Sequence, residues 1–234
     1  MPQDLQMTPH RVKKTMYITS EEENIMDKRL KVLMLNGSPV ENGNITVAFR
    51  EMERIFEEAN VEYETIQIGR MDIRGCIACG SCGITEKCVF NDIVNEIAVK
   101  FEKADGLVVG SPVYYGSANG TLMSALQRLF YSTHFDKSLK VGASVVCARR
   151  SGCTATFDEL NKFFAIANMP VATSQYWNNI YGGAPGEASA DEEGRQVMRV
   201  LARNMVFLMK SIELGKEQLG LPETEDHAWT NFIR

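Results

Sequence analysis

The sequence predicts a single α/β domain, a three-layer α/β/α sandwich around a five-stranded parallel sheet in the order 2-1-3-4-5. Three observations carry that expectation. From Lys31 onward short apolar runs alternate with amphipathic stretches, which implies crossover connections and a sheet covered on both faces. Five such runs occur, which fits the five-stranded order better than the six-stranded dinucleotide sheet. No repeat or low-complexity linker divides the 234 residues, and 44% hydrophobic content supplies an ordinary core.

Residues 1–30 read as an added arm, with mixed charge, a Glu21-Glu22-Glu23 run and no sustained apolar period. A mobile segment, an oligomer-docking arm or an upstream start would each account for it. The first strand is Val32-Leu33-Met34-Leu35, ending in the turn residues Asn36-Gly37-Ser38-Pro39. Thr46 to Ala59 spaces Val47, Phe49, Met52, Ile55 and Phe56 for a helix. Tyr63 to Ile68 is the second strand, a cysteine-rich loop over 75–89 follows, and a helix spans Ile93 to Lys103. Gly106 to Gly110 is the third strand, and Leu122, Ala125, Leu126 and Leu129 mark the next helix. Val141 to Cys147 is the fourth strand, Phe157 to Ala167 a helix, and Val171 to Gln175 the fifth strand. A closing helix runs from about Asp191 to Leu214, so the domain covers 31–214 and leaves 215–234 as a tail. Met123, Met198, Met205 and Met209 have helical spacing and read as packing residues.

Composition narrows the function. A net charge of −5 argues against nucleic acid as a partner, because phosphate neutralisation needs a basic face. No apolar run approaches the ~20 residues of a membrane span, and no signal-peptide apolar segment opens the chain. A cytoplasmic protein with no membrane partner is expected. His10, His134 and His227 are widely spaced and pair with no nucleophile, which removes a triad hydrolase.

Ligands of an open parallel sheet gather at the carboxyl ends of its strands. The first such loop, Asn36 to Thr46, is built of small residues whose N–H groups can approach an anion, with the Ser38 and Thr46 hydroxyls and the Asn44 amide beside a helix N-terminus. It matches neither a dinucleotide turn nor a triphosphate loop; a plain turn with Thr46 as helix cap is the alternative. The loop after the third strand, Ser111 to Ser117, adds Tyr114 and Tyr115 beside Gly116, and the loop Cys147 to Thr154 follows the fourth strand. One mononucleotide with a flat ring explains all three.

The loops G-S-P-x-x-x-G-N at Gly37 to Asn44 and S-P-V-Y-Y-G at Ser111 to Gly116, with Gly182-Gly183-Ala184-Pro185-Gly186, resemble those of NAD(P)H-dependent FMN reductases and the wider flavodoxin-like oxidoreductases. The resemblance covers about Lys31 to Leu214. It implies a flavodoxin-like fold and FMN, with phosphate at Ser38, Asn44, Ile45 and Thr46. The isoalloxazine would lie along Pro112, Val113, Tyr114, Tyr115 and Gly116, and Arg150, Ser151 and Gly152 match a third flavin-side loop. Val40 stands where the family often has a basic residue.

Four of the six cysteines, Cys76, Cys79, Cys82 and Cys88, fall within thirteen residues, where even scatter would put less than one. Disulfide frameworks spread their cysteines through small secreted domains, so this window reads as a metal or cluster loop in a reducing compartment. Two-residue gaps let neighbouring thiolates face a common centre, the longer last gap turns the chain back, and no second set exists. A single [4Fe–4S] cubane fits best; a redox-active thiol loop and structural zinc remain alternatives. Cys147 ends an apolar strand and reads as core, while Cys153 lies on the flavin side without an evident partner.

The compact motif inside such a domain is similar to the iron–sulfur flavoproteins. That resemblance implies one FMN and one [4Fe–4S] cluster on Cys76, Cys79, Cys82 and Cys88, in homodimers or homotetramers. The cysteine loop follows strand two, so cluster and flavin are expected at the same sheet edge. The resulting expectation is an FMN-dependent oxidoreductase passing electrons between NAD(P)H or ferredoxin and a small acceptor such as a quinone, an oxygen species or an aromatic compound. No protein acid or nucleophile is required, because the cofactor carries the chemistry. A non-enzymatic electron carrier between proteins and a clusterless NAD(P)H:FMN or quinone reductase are the alternatives. Tyr176, Trp177 and Tyr181 either close the substrate side or pack at a subunit contact or in the core, and Trp229, Phe232 and Ile233 are expected to dock on another subunit.

Overall fold

The computed structural model describes residues 29–233. The arm expected at 1–30 lies outside the described residues as far as residue 28, and His10 with it. Leu30, assigned to that arm, is buried and joins the core.

The sheet is built from β1 (Lys31–Asn36), β2 (Glu62–Gln67), β3 (Gly106–Tyr114), β5 (Val141–Ala148) and β6 (Asn179–Tyr181), with the short β4 (Ser117–Ala118) returning against β3. The path is β2-β1-β3-β5-β6, parallel throughout, and β4 pairs antiparallel outside it. Counting the parallel strands alone, this is the expected 2-1-3-4-5. Met34, Val108 and Ala143 stand in register across β1, β3 and β5 and pack on one face with α1 (Asn44–Glu58) and the last helix. Their neighbours Leu33, Leu35, Leu107 and Val109 turn to the other face, since successive strand residues point to opposite sides. That face is covered by α3 (Ile93–Lys103), α4 (Gly120–Ser132) and α5 (Cys153–Ile166); the single turn α2 (Cys82–Thr85) lies in the cysteine loop.

Helix α1 buries Ile45, Ala48, Phe49, Met52, Ile55 and Phe56 on one stripe, each large side chain contributing about 1.5–3 kcal/mol. Helix α3 starts at Asp92, whose carboxylate accepts from Val94 N at 3.1 Å. Asn119 caps α4 by accepting from Thr121 N and Leu122 N. The closing helix α6 (Glu192–Leu219) starts at Asp191, which accepts from Gly194 N at 2.9 Å. It runs five residues past the expected Leu214 end.

Two expectations are corrected. The third strand continues to Tyr114 and folds back as a hairpin, so Ser111 to Ser117 is not a free loop. Tyr115 and Gly116 form its two-residue turn with φ of +52° and +79°, the left-handed pair that a tight hairpin demands. The fifth strand lies at Asn179–Tyr181, and Val171 makes only an isolated bridge to Gly142. Thr173 to Gln175 leave the sheet because their polar groups bond to α6: Ser174 Oγ donates to Val197 O, and Asn204 Nδ2 donates to Thr173 O. Among the described residues no helix is long and apolar enough to cross a membrane.

Candidate functional site

A cavity of about 240 Å³ opens at the carboxyl ends of β1, β3, β5 and β6. Ser38, Asn44 and Ile45 reach it from the first loop, Pro112, Val113 and Tyr114 from the hairpin strand, and Cys147 to Arg149 from the end of β5. Three of the sequence-predicted loops therefore converge. Asn36 shapes the first of them by accepting from Ser38 N at 2.9 Å and donating to Thr46 Oγ1 at 3.2 Å. The Ser38 hydroxyl accepts from Val40 N at 3.1 Å, and Thr46 Oγ1 donates to Glu41 O. The Thr46 hydroxyl is thus used within the loop and does not line the cavity. Anion-binding capacity resides instead in the first turn of α1, where Asn44, Ile45 and Thr46 precede the first helical bond, Val47 N to Gly43 O.

Asn44 has a larger part than its motif suggested. Its Nδ2 donates to Gly182 O and its Oδ1 accepts from Ala188 N, both at 3.0 Å. One amide thus fastens the first loop to the segment that follows β6. Gly182 sits so close beneath it that a Cβ there would lie 2.7 Å from Ala188 N and 2.8 Å from Asn44 Nδ2. Sequence reasoning missed Arg149, the single charged side chain lining the cavity, and named its neighbour Arg150. Arg150 and Ser151 are exposed on the turn before α5, and neither lines the cavity. Gly152, at φ +91°, instead backs the hairpin: a Cβ there would meet Val113 Cγ1 at 2.8 Å.

The hairpin is held from below. Ser117 Oγ and Ala118 N donate to the Glu159 carboxylate of α5 at 2.8 Å. Tyr115 at its tip is fully exposed beyond the cavity, with Gly116 beside it. Burial raises the Tyr114 phenol above its ordinary value. Cys147 lines the cavity, and burial, helped by the nearby Cys153, pushes its thiol up to about 12. It is a neutral thiol at neutral pH and supplies no nucleophile. Small residues, open helix N–H groups, an arginine and an apolar strand edge fit a phosphorylated planar ring.

Cys76, Cys79, Cys82 and Cys88 line one small concavity with Ile77, Phe90, Arg128 and Tyr131. All four are free, Cys76 and Cys79 exposed and the other two half-buried. Among the described residues no three Cys, His, Asp or Glu side chains are gathered tightly enough to hold a single ion. A cubane takes one cysteine per iron and so accepts wider-spaced sulfurs, and four soft thiols on one wall fit that donor set. The loop leaves the carboxyl end of β2, but its concavity rests on Arg128, Tyr131 and Ser132 in the later half of α4. At 1.5 Å per residue Arg128 lies roughly 12 Å along α4 from Gly120, and the two cavities share no lining residue.

A doubly wound parallel sheet with a cavity among the loops at its carboxyl edge defines a flavodoxin-like α/β protein. Residues 30–184 match the model of the NADPH-dependent FMN reductase family, and the chain belongs to that family. It is an oxidoreductase that works with FMN. Over 192 residues it is 32% identical to an iron–sulfur flavoprotein of Methanocaldococcus jannaschii, covering 79% of this chain and all of that one. The NAD(P)H:quinone oxidoreductase of Methanothermobacter marburgensis superposes with a TM-score of 0.59 at 16% identity, over 76% of this chain and 96% of that one. A flavodoxin from the domain Archaea gives 0.53 at 15% identity, over 77% and 99% respectively. These two likenesses concern the fold.

Proposed function

We propose that the chain is an FMN-dependent reductase with a [4Fe–4S] cluster on Cys76, Cys79, Cys82 and Cys88, drawing electrons from NAD(P)H or ferredoxin and passing them to a small acceptor. The observation that carries it is that all four cysteines of one short window line one concavity, in a family that works with FMN. The naming of the Methanocaldococcus relative points the same way. Bound FMN supplies the interchange between a two-electron hydride donor and one-electron carriers.

The protein's own contribution is placement. The first turn of α1 and Ser38 receive the phosphate, Arg149 adds a positive charge, and Pro112 to Tyr114 with the hairpin tip lie along the ring. Asn44 closes the far wall by holding the 182–188 segment, while the buried Cys147 keeps that wall neutral and dry. Cytoplasmic location and assembly as a homodimer or homotetramer belong to the same reading.

Anaerobic purification followed by an absorption spectrum and iron and sulfide analysis tests it. Flavin bands with a broad shoulder and about four irons and four sulfides per chain are expected. Cys82→Ser should lose iron and keep FMN. Flavin without iron in the parent protein would leave a clusterless reductase, and colourless protein would overturn both centres.

A further inference from the structure

Arg128 stands out as a charged side chain in the wrong solvent. It lies on the core-facing stripe of α4 between Leu126 and Leu129, 1% exposed, and is the largest fully buried side chain among the described residues. Such burial persists when the guanidinium finds geometry-matched partners. All of them belong to the cysteine loop or its exit. Nε donates to Cys88 Sγ at 3.1 Å, Nη1 and Nη2 grip the Asp92 carboxylate at 2.7 and 2.8 Å, and Nη1 reaches Arg74 O at 3.3 Å. Its guanidinium also lies 4.9 Å from the Phe90 ring centroid.

The loop needs such a post. From Arg74 to Asp92 no residue is buried, and the only regular structure is the single turn α2, so no core of its own holds the sulfurs in place. Arg128 ties the loop's start at Arg74 to its last cysteine and to the cap of α3. Asn95 completes the anchorage from α3, accepting from Cys88 N at 3.0 Å and donating to Cys88 O at 3.1 Å. Cys88 is therefore held at both backbone groups and at its sulfur. Among the described residues no such side-chain bond reaches the sulfurs of Cys79 or Cys82, and Cys76 Sγ accepts only from the loop's own Ala78 N.

We infer that Arg128 is the positioning residue of the cysteine site, making Cys88 the fixed corner of the cluster and raising its reduction potential through the N–H···S contact. The inference rests on the cluster reading above. A hydrogen bond and a positive charge at a ligating sulfur favour the reduced, more negative cluster, and a partner that orients a ligand also governs how firmly the metal is kept. Asp92 neutralises the guanidinium on its far side, leaving Nε turned to sulfur.

The test compares the parent protein with Arg128→Lys, which keeps the charge without the planar fork, and Arg128→Gln, which loses the charge. Three quantities are read: potential by electron-paramagnetic-resonance-monitored titration, Fe–S(Cys) stretching modes by resonance Raman, and iron lost to a chelator, with FMN content as a folding control. Both variants should show a more negative potential and one shifted Fe–S mode, and release iron about tenfold faster. If Arg128→Gln fails to fold, Arg128→Lys decides alone. Unchanged potential and vibrational modes in iron-loaded Arg128→Lys would overturn the role of Arg128 while leaving the cluster standing. A parent protein purified anaerobically without iron or sulfide would overturn the cluster reading, and this inference with it.

Discussion

Single residues do more than one task around the cavity at the carboxyl edge of the sheet. Asn44 belongs to a loop motif, yet both ends of its amide are used on Gly182 and Ala188, more than a hundred residues away in the chain. Asn44→Ala should release that segment and weaken FMN binding about tenfold, since tenfold corresponds to ~1.4 kcal/mol, the order of one or two lost hydrogen bonds. Fluorescence titration of the apoprotein measures it, with circular dichroism expected unchanged; an unaltered Kd would show that the wall needs no tie. Gly182→Ala should have a comparable effect for a steric reason, because its Cβ has nowhere to go but into Asn44 and Ala188 N. Arg149 escaped sequence reasoning because two adjacent arginines follow β5, and only the direction of the chain leaving the sheet decides which one lines the cavity.

Between elements, polar fastenings complement the apolar core. Helices α1 and α6 share Glu51, only 8% exposed, which takes hydrogen bonds from Arg195 Nε at 2.7 Å and Arg199 Nη1 at 2.8 Å. Burial opposes its charge, but Arg199 and Arg195 outweigh burial and hold the carboxyl below the ordinary glutamate value of 4.5. A carboxylate depressed in the folded state contributes stability that is complete above the unfolded value and disappears as pH falls through the lower folded one. Glu51→Gln should therefore cost about 1–2 kcal/mol near neutrality, with the gap to the parent closing below about pH 4.5. Urea unfolding across that range measures it, and a gap independent of pH would show that the charge does not act. The hairpin teaches a related lesson: Ser111 to Ser117 has turn-like composition, yet Glu159 of α5 receives Ser117 and Ala118 and draws the segment into a paired strand.

At the scale of the whole molecule, apolar surface remains outside the sandwich. Trp229, Phe232 and Ile233 are each more than 85% exposed, and Phe207 and Leu219 on α6 are exposed as well. Exposed apolar surface of this kind marks association. Removal of residues 220–234 should lower the mass found by sedimentation velocity while leaving bound FMN unchanged. An unaltered mass would show that this surface makes no subunit contact.

The alternation of strand and helix, the parallel order and the two faces of the sheet were legible in the sequence, because period-two and helical spacing are local properties that burial enforces on each element. The four clustered cysteines were legible because their spacing is itself local, and small-residue composition marked the loop after β1, of which Ser38, Asn44 and Ile45 line the cavity. The fifth strand was misplaced because Thr173 to Gln175 are drawn to α6, a partner no local pattern reveals. The tertiary structure alone decided that Asn44 closes the cavity across 138 residues and that Arg128 meets Cys88 across 40. It alone set the cysteine concavity against Arg128, Tyr131 and Ser132 of α4. Such contacts depend on how finished elements pack, and spacing along the chain carries no record of which side chains that packing brings together.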